Sequence, residues 1–271
     1  FGGNIRDIVD WPRCGDWPHG EDDHYHLTDY NTVVNAFHYR ALVLLQQMAT
    51  LVGKEDDAEQ LKEECQTLRR VFNQLLFDEE NGVYRDGVDS DHISLHANLF
   101  PLALGLVEEE NVPRVMEYIR SRGLVCSVYA AQFLMDAIYQ SGDGDYGLKM
   151  LTKEDERGWY NMVLHNATIT YEAWDDKFKN NQDWNHAWGA APANLIPRCI
   201  AGIKPLEPGF RKFSVTPHPG NLKEFYCKHP TPWGTIELKY KDGTCQLTVP
   251  AGTTAVTSNG ELSAGVHNFK L

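Results

Sequence analysis

Apolar residues recur at helical spacing early in the chain. Val33, Ala36, Phe37, Ala41, Leu44, Leu45 and Met48 fall on one face, which predicts an amphipathic helix from Thr28 to Leu51. Thr28 or Asp29 is its expected cap, and Gly53 its stop. A second stripe, Ala58, Leu61, Cys65, Leu68, Val71, Phe72 and Leu75, predicts a helix from Asp56 to Leu76. Asn81-Gly82 and Asp86-Gly87 mark turns in the connector that follows. Further helices are predicted over 95–106, over 112–121 with Asn111 as cap and Pro113 in the first turn, and over 127–139, 146–151 and 188–203. Helices 56–76 and 112–121 carry a polar face, whereas 95–106, 127–139 and 188–203 are apolar all round, as in helices buried on both sides. Such alternation is what about half of a twelve-helix toroid of hairpins would give.

The texture changes after Ile203. Pro205, Pro208, Gly209, Pro217, Pro219 and Gly220 punctuate the chain. The alternating segments 235–240 and 245–249 then flank Asp242-Gly243, a hairpin signal. The expected fold is mainly α with a small all-β domain, divided as 1–204 and 205–271.

With 271 residues, 42% of them hydrophobic and 23% charged, the chain has the composition of a globular protein able to bury a core. No apolar run approaches the roughly 20 residues that cross a bilayer. The net charge of −13 repels phosphate backbones and anionic lipid, so nucleic acid and membrane are poor partners. The six cysteines lack CxxC spacing, which disfavours a zinc site and predicts buried free thiols. The chain begins at Phe1 rather than Met. A truncated or processed start is expected, so targeting is not read here.

Candidate chemistry concentrates in two segments. Residues 166–188 place Glu172 between Tyr171 and Trp174, near Trp184, Trp188, His186 and several amides. Sugar sites have this composition because hydroxyls need polar partners while the C–H faces of the ring stack on aromatics. Desolvation there would raise the Glu172 carboxyl toward the range where it takes a proton from water. The same position equally suits a core ion pair with an Arg. Residues 11–26 hold four acids, three histidines and two tryptophans in loop-like sequence. Asp16 is a candidate hydroxyl acceptor, and Asp22 and Asp23 are expected in a solvated loop. The spacing of Asp22, His24 and His26 matches no zinc motif. His38 and His165 suit core or cap roles. Residues 94–98, 126–131 and 185–190 share one design, a polar or aromatic helix start followed by small residues. In a ring of hairpins such starts would face one pocket; they also suit ordinary capped core helices.

Several of these segments resemble the bacterial α-L-rhamnosidases of glycoside hydrolase family 78. They are 94–98, 126–134, 159–162, 167–174, 183–189, 205–210, 215–220 and 231–234. Thr170-Tyr171-Glu172-Ala173-Trp174 and Asn185-His186-Ala187-Trp188-Gly189 are the most specific. No cofactor or metal is expected from the motifs present. The resemblance implies an (α/α)6 barrel followed by a β-sandwich, and inverting hydrolysis of terminal α-L-rhamnose from a rhamnose-containing glycoside. It implies Glu172 as general base and His186 as a sugar contact, with Asp16, Trp17 and Trp174 as pocket positions; His96, Tyr129 and Trp159, in the same resembling segments, are further candidate substrate-binding residues. The family's general acid lies in an acidic motif upstream of the Gly-Asp-Trp segment, and no such motif is present here. The general acid is therefore expected in an upstream part of the same polypeptide. Cytoplasmic and exported bacterial locations both fit.

Two other readings fit the residues. A different toroid enzyme, such as a polysaccharide lyase, would need a Tyr or His base and a cationic cradle, which the acidic balance opposes. A non-catalytic carbohydrate-binding protein would need no second carboxyl.

Overall fold

The computed structural model describes residues 21–179 and 182–271. They fall into two compact units, one reaching to Ser141 and resuming over Lys153–Gly189, the other formed by Gly142–Thr152 and Ala190–Leu271.

The first unit is helical. Helices α1 (Thr32–Leu51) and α2 (Glu55–Leu76) form a hairpin around Gly53. The cap of α1 is Asn31 rather than Thr28 or Asp29, because the Asn31 side chain accepts the Val34 N–H at 3.0 Å. Only the first half of the expected α1 stripe is buried. Val33 and Ala36 are inaccessible, while Leu44, Leu45 and Met48 face solvent. The connector carries two short antiparallel strands, β1 (Phe77–Asp78) and β2 (Val83–Tyr84), closed by the turn at Asn81-Gly82.

Helix α3 (Leu95–Leu104) is the centre of this unit and packs on α1, on α4 (Val112–Arg122) and on α5 (Val128–Gln140). It ends two residues before the expected Leu106. Gly105 adopts a left-handed conformation at φ 85°, and the Gly105 and Leu106 N–H groups donate back to Leu102 and Pro101. That arrangement terminates the helix and satisfies its last carbonyls. Ser94 and Ser127 cap α3 and α5 through the Ala97 and Ala130 amides. Asn111 makes no side-chain cap on α4, since its position has helical dihedrals. A helix not anticipated by periodicity, α7 (Trp159–Leu164), has six residues and ends at His165, whose ring approaches the Asn161 carbonyl at 2.9 Å.

Asp86 anchors the approach to α3. Its carboxylate accepts the His26 N–H at 2.8 Å and the Ser94 N–H at 3.0 Å, and lies 2.7 Å from His92 Nδ1. Burial raises this carboxyl above its ordinary value, against the pull of those partners. Asp22 and Asp23 are buried rather than solvated. Asp23 accepts the Leu95 N–H at the start of α3 and pairs with Arg122, which explains its position inside. His26 stacks on His92 and approaches Ser90, while the His24 N–H donates to Asp22.

The second unit contains α6 (Gly144–Leu151), a short helical run, and all the remaining strands. The expected continuous helix over 188–203 is broken. A 3-10 turn (Ala187–Ala190) leads to α8 (Ala191–Leu195) and one π-helical turn (Ile196–Ile200). Pro192 and Pro197 lack the N–H groups an α-ladder needs, and the Ala201 N–H reaches back to Ile196 instead. Ile196 is exposed, so this run is not apolar-buried all round.

Two four-stranded sheets follow. One has the order β10 (Gly265–Lys270), β7 (Thr244–Val249), β6 (Gly234–Lys241), β5 (Glu224–Thr231), all antiparallel. The other has the order β3 (Ile203–Pro205), β4 (Lys212–Val215), β8 (Thr254–Thr257), β9 (Gly260–Leu262), with β4 and β8 parallel. Phe213, Val215 and Ala255 from one sheet share a core with Ile236, Leu238, Leu247 and Phe269 from the other. This is the expected sandwich. The β6–β7 turn is Asp242-Gly243 with φ of 44° and 80°, the left-handed pair that a two-residue hairpin turn requires. Cys65, Cys126, Cys199, Cys227 and Cys245 are buried free thiols, and Cys14 lies outside the described residues.

Candidate active site

The segment after α7 is loop for most of its length and is held by its own backbone. The Glu172 N–H donates to the Asp183 carbonyl at 3.0 Å, and the His186 N–H to the Thr170 carbonyl at 2.9 Å. The Thr170 hydroxyl returns a bond to the His186 carbonyl at 3.1 Å. These bonds fix Glu172 opposite the 183–186 stretch. Gly189 lies against the same segment, where a Cβ would stand 2.5 Å from the Tyr171 carbonyl.

Glu172 presents a side chain about one-tenth exposed. One carboxylate oxygen is paired with the Lys179 ammonium, and the other accepts the Asp183 N–H at 2.9 Å. Burial alone would raise this carboxyl. The Lys179 hydrogen bond, the Asp183 amide and the charges of Lys179 and His186 outweigh it, so the group is held below the ordinary glutamate value. The expectation of a raised carboxyl is thus reversed, and the partner is Lys179 rather than an Arg. Replacing Lys179 by Met leaves burial in place and removes the main counterweight. The Glu172 titration should then move upward, as read by carboxyl-carbon NMR; an unchanged titration would show that the ion pair does not set it.

His186 stacks on Trp188 at 4.3 Å between ring centres, and Trp188 stacks on Tyr129 at 5.4 Å. The Trp188 indole N–H donates to the Glu172 backbone carbonyl at 3.0 Å, tying this three-ring stack to the backbone that carries the carboxylate. His186 Nδ1 is buried with no hydrogen-bond partner among the described residues. Glu172, Asp183 and His186 each offer a ligand atom within 4.8 Å of one another. A small cation would find donors there, although Lys179 already supplies positive charge at Glu172.

The structure therefore brings together Glu172, His186 and Tyr129. Trp174 and Trp159 lie in the core, edge to face at 5.1 Å. Their indole N–H groups donate to the carbonyls of Cys126 and Gly189. His96 is fully buried between Tyr25 and Phe100. Ring contacts run from it to the stack by way of Phe100, Phe133 and Tyr129. Asp16 and Trp17 lie outside the described residues. Sequence reasoning did not single out Lys179, Asp183 or Trp188 as site residues. Trp188 stood in the most specific resembling motif, while Lys179 had no signal beyond a cation near an apolar-flanked acid.

Comparison with known proteins completes the picture. Residues 5–200 match the family model of the bacterial alpha-L-rhamnosidase 6 hairpin glycosidase domain, and residues 202–261 match that of the bacterial alpha-L-rhamnosidase C-terminal domain. The chain is 26% identical over 247 residues to an alpha-L-rhamnosidase of Alteromonas sp. (strain LOR), a match covering 84% of this chain and 26% of that protein. Among solved structures, native alpha-L-rhamnosidase from Aspergillus terreus superposes with a TM-score of 0.78 at 21% identity, covering 98% of this chain and 33% of its own. Streptomyces avermitilis alpha-L-rhamnosidase complexed with L-rhamnose gives 0.76 at 18% identity, covering 93% and 27%. The chain spans about a quarter of the length of the curated relatives it matches.

Proposed function

The chain belongs to the bacterial α-L-rhamnosidase six-hairpin glycosidase family, and from that premise we propose that it forms the C-terminal part of an inverting hydrolase of terminal α-L-rhamnosides. Residues 1–204 supply the C-terminal half of the (α/α)6 barrel and 205–271 the β-sandwich. Glu172 is the general base. The observation that carries this reading is the Glu172 carboxylate, held ionised beside Lys179, on a residue whose backbone carbonyl is bonded to the His186–Trp188–Tyr129 stack.

An ionised carboxylate can take a proton from water as that water attacks the anomeric carbon. The Asp183 amide and Lys179 fix its orientation. The half-buried His186 ring, stacked on Trp188, is the proposed contact for a sugar hydroxyl. The stacked rings offer an apolar wall to the C–H faces and the 6-methyl group of rhamnose. A methyl in such a wall contributes about 1–3 kcal/mol, so discrimination against a 6-hydroxymethyl sugar should be moderate. Asp16, Trp17, His96, Trp159 and Trp174 are proposed to shape the pocket, the buried ones by supporting it. Inversion needs a second carboxyl roughly 6.5–9.5 Å from the first, to protonate the leaving oxygen while leaving room for water. We assign that role to the part of the polypeptide that precedes the Gly-Asp-Trp segment. The partner is a rhamnose-containing glycoside or oligosaccharide.

The test is proton NMR of the full-length polypeptide acting on an aryl α-L-rhamnoside. The first product signal should be β-L-rhamnose, with the α anomer growing in by mutarotation. Initial release of the α anomer would mean retention, and Glu172 would not be the base of an inverting pair.

A further inference from the structure

The outer face of the sheet formed by β5, β6, β7 and β10 differs in charge from the rest of the protein. Its outward positions carry Lys228, Lys239, Lys241 and Lys270 against Glu224 and Glu237, alternating with the buried Cys227, Leu238, Tyr240 and Phe269. That is a surplus of lysine in a chain whose net charge is −13. Tyr226 lies in the middle of this face, half exposed and cross-strand from Lys239. The ammonium groups of Lys228 and Lys239 lie over its ring, 5.5 and 5.7 Å from the centre. Lys228 also pairs with Glu237 at 3.7 Å, which leaves Lys239 as the ammonium of the two outside an ion pair among the described residues. The Tyr226 hydroxyl donates to Glu237 at 2.7 Å, which fixes the ring.

We propose that this face binds an anionic polysaccharide, with a sugar ring on Tyr226 and its carboxylate or sulfate groups met by Lys228 and Lys239. An oriented aromatic accepts the C–H face of a sugar, and flanking ammonium groups accept its charge. Acidic polysaccharide fits better than nucleic acid. Its charges are spaced by whole sugar units, whereas a duplex carries one per roughly 1.7 Å and would meet the repulsion of the acidic remainder. The role is to hold a polymer at the protein, and it is independent of the chemistry assigned to Glu172.

The experiment is affinity electrophoresis of the full chain in native gels containing polygalacturonate or neutral dextran. Retardation is expected in polygalacturonate only, weakening as salt screens the lysines. Tyr226→Ala and the double variant Lys228→Gln with Lys239→Gln should each weaken it by about fivefold or more. All three positions are on the solvent side, and unchanged thermal midpoints would certify folding. Equal retardation of wild type and variants, none at low salt, equal retardation in dextran, or displacement by single-stranded DNA as effective as by polygalacturonate would each overturn the proposal.

Discussion

Glu172→Gln in the full-length polypeptide is expected to lower kcat on an aryl α-L-rhamnoside by about 10²–10⁴-fold, the usual range for loss of a positioned general base. The amide matches the carboxylate in size and keeps one oxygen for the Asp183 N–H, so the loop should keep its shape. It cannot take a proton from water at neutral pH. Rhamnose affinity, which the proposed site assigns to the stacked rings and His186, should stay within about twofold of the wild type by isothermal calorimetry. This split between lost turnover and kept binding separates chemistry from collapse of the site. A variant with near wild-type kcat would remove Glu172 from the mechanism.

The second large effect concerns stability. Asp86→Ala is expected to destabilise the helical unit by about 3–5 kcal/mol in urea denaturation, the cost of removing one partner from a buried charged network. The Asp86 side chain is inaccessible, and its loss strands the Ser94 and His26 amides together with the His92 ring. Unsatisfied buried donors cost about 1–3 kcal/mol each. Asp86→Asn should recover only part, because one face of the amide presents N–H to another donor. Asp91→Ala removes a fully exposed carboxylate on the same loop and should leave the midpoint unchanged. An unaltered midpoint for Asp86→Ala would show that the contacts around this carboxylate contribute little.

The two cases differ in how far the sequence announced them. Helices α1 to α5 were legible because apolar periodicity, glycine stops and serine caps act within a few residues of one another. The β6–β7 hairpin was legible because Asp242-Gly243 suits only a narrow set of turns. Asp86 looked like half of a turn signal, since its partners are brought to it by tertiary folding. Asp22 and Asp23 looked solvated for the same reason, as Arg122 lies far along the chain. The helix expected over 188–203 ignored what two prolines do to an α-ladder. At the site, aromatic and amide composition singled out the 166–188 segment with Glu172 and His186, while Tyr129 entered only through the helix start at 126–131. The sign of the Glu172 perturbation could not be read, because it depends on Lys179 closing across a loop that has no periodicity.

The free thiols have a practical consequence. Cys65 and Cys126 are sealed in the helical unit, and Cys199, Cys227 and Cys245 in the other. Burial raises the thiols of Cys126 and Cys245, so neither is reactive while its surroundings stay closed. Each unit thus carries its own chemical clock: the pace at which an alkylating reagent marks Cys126 times the opening of one, and the pace at Cys245 times the opening of the other.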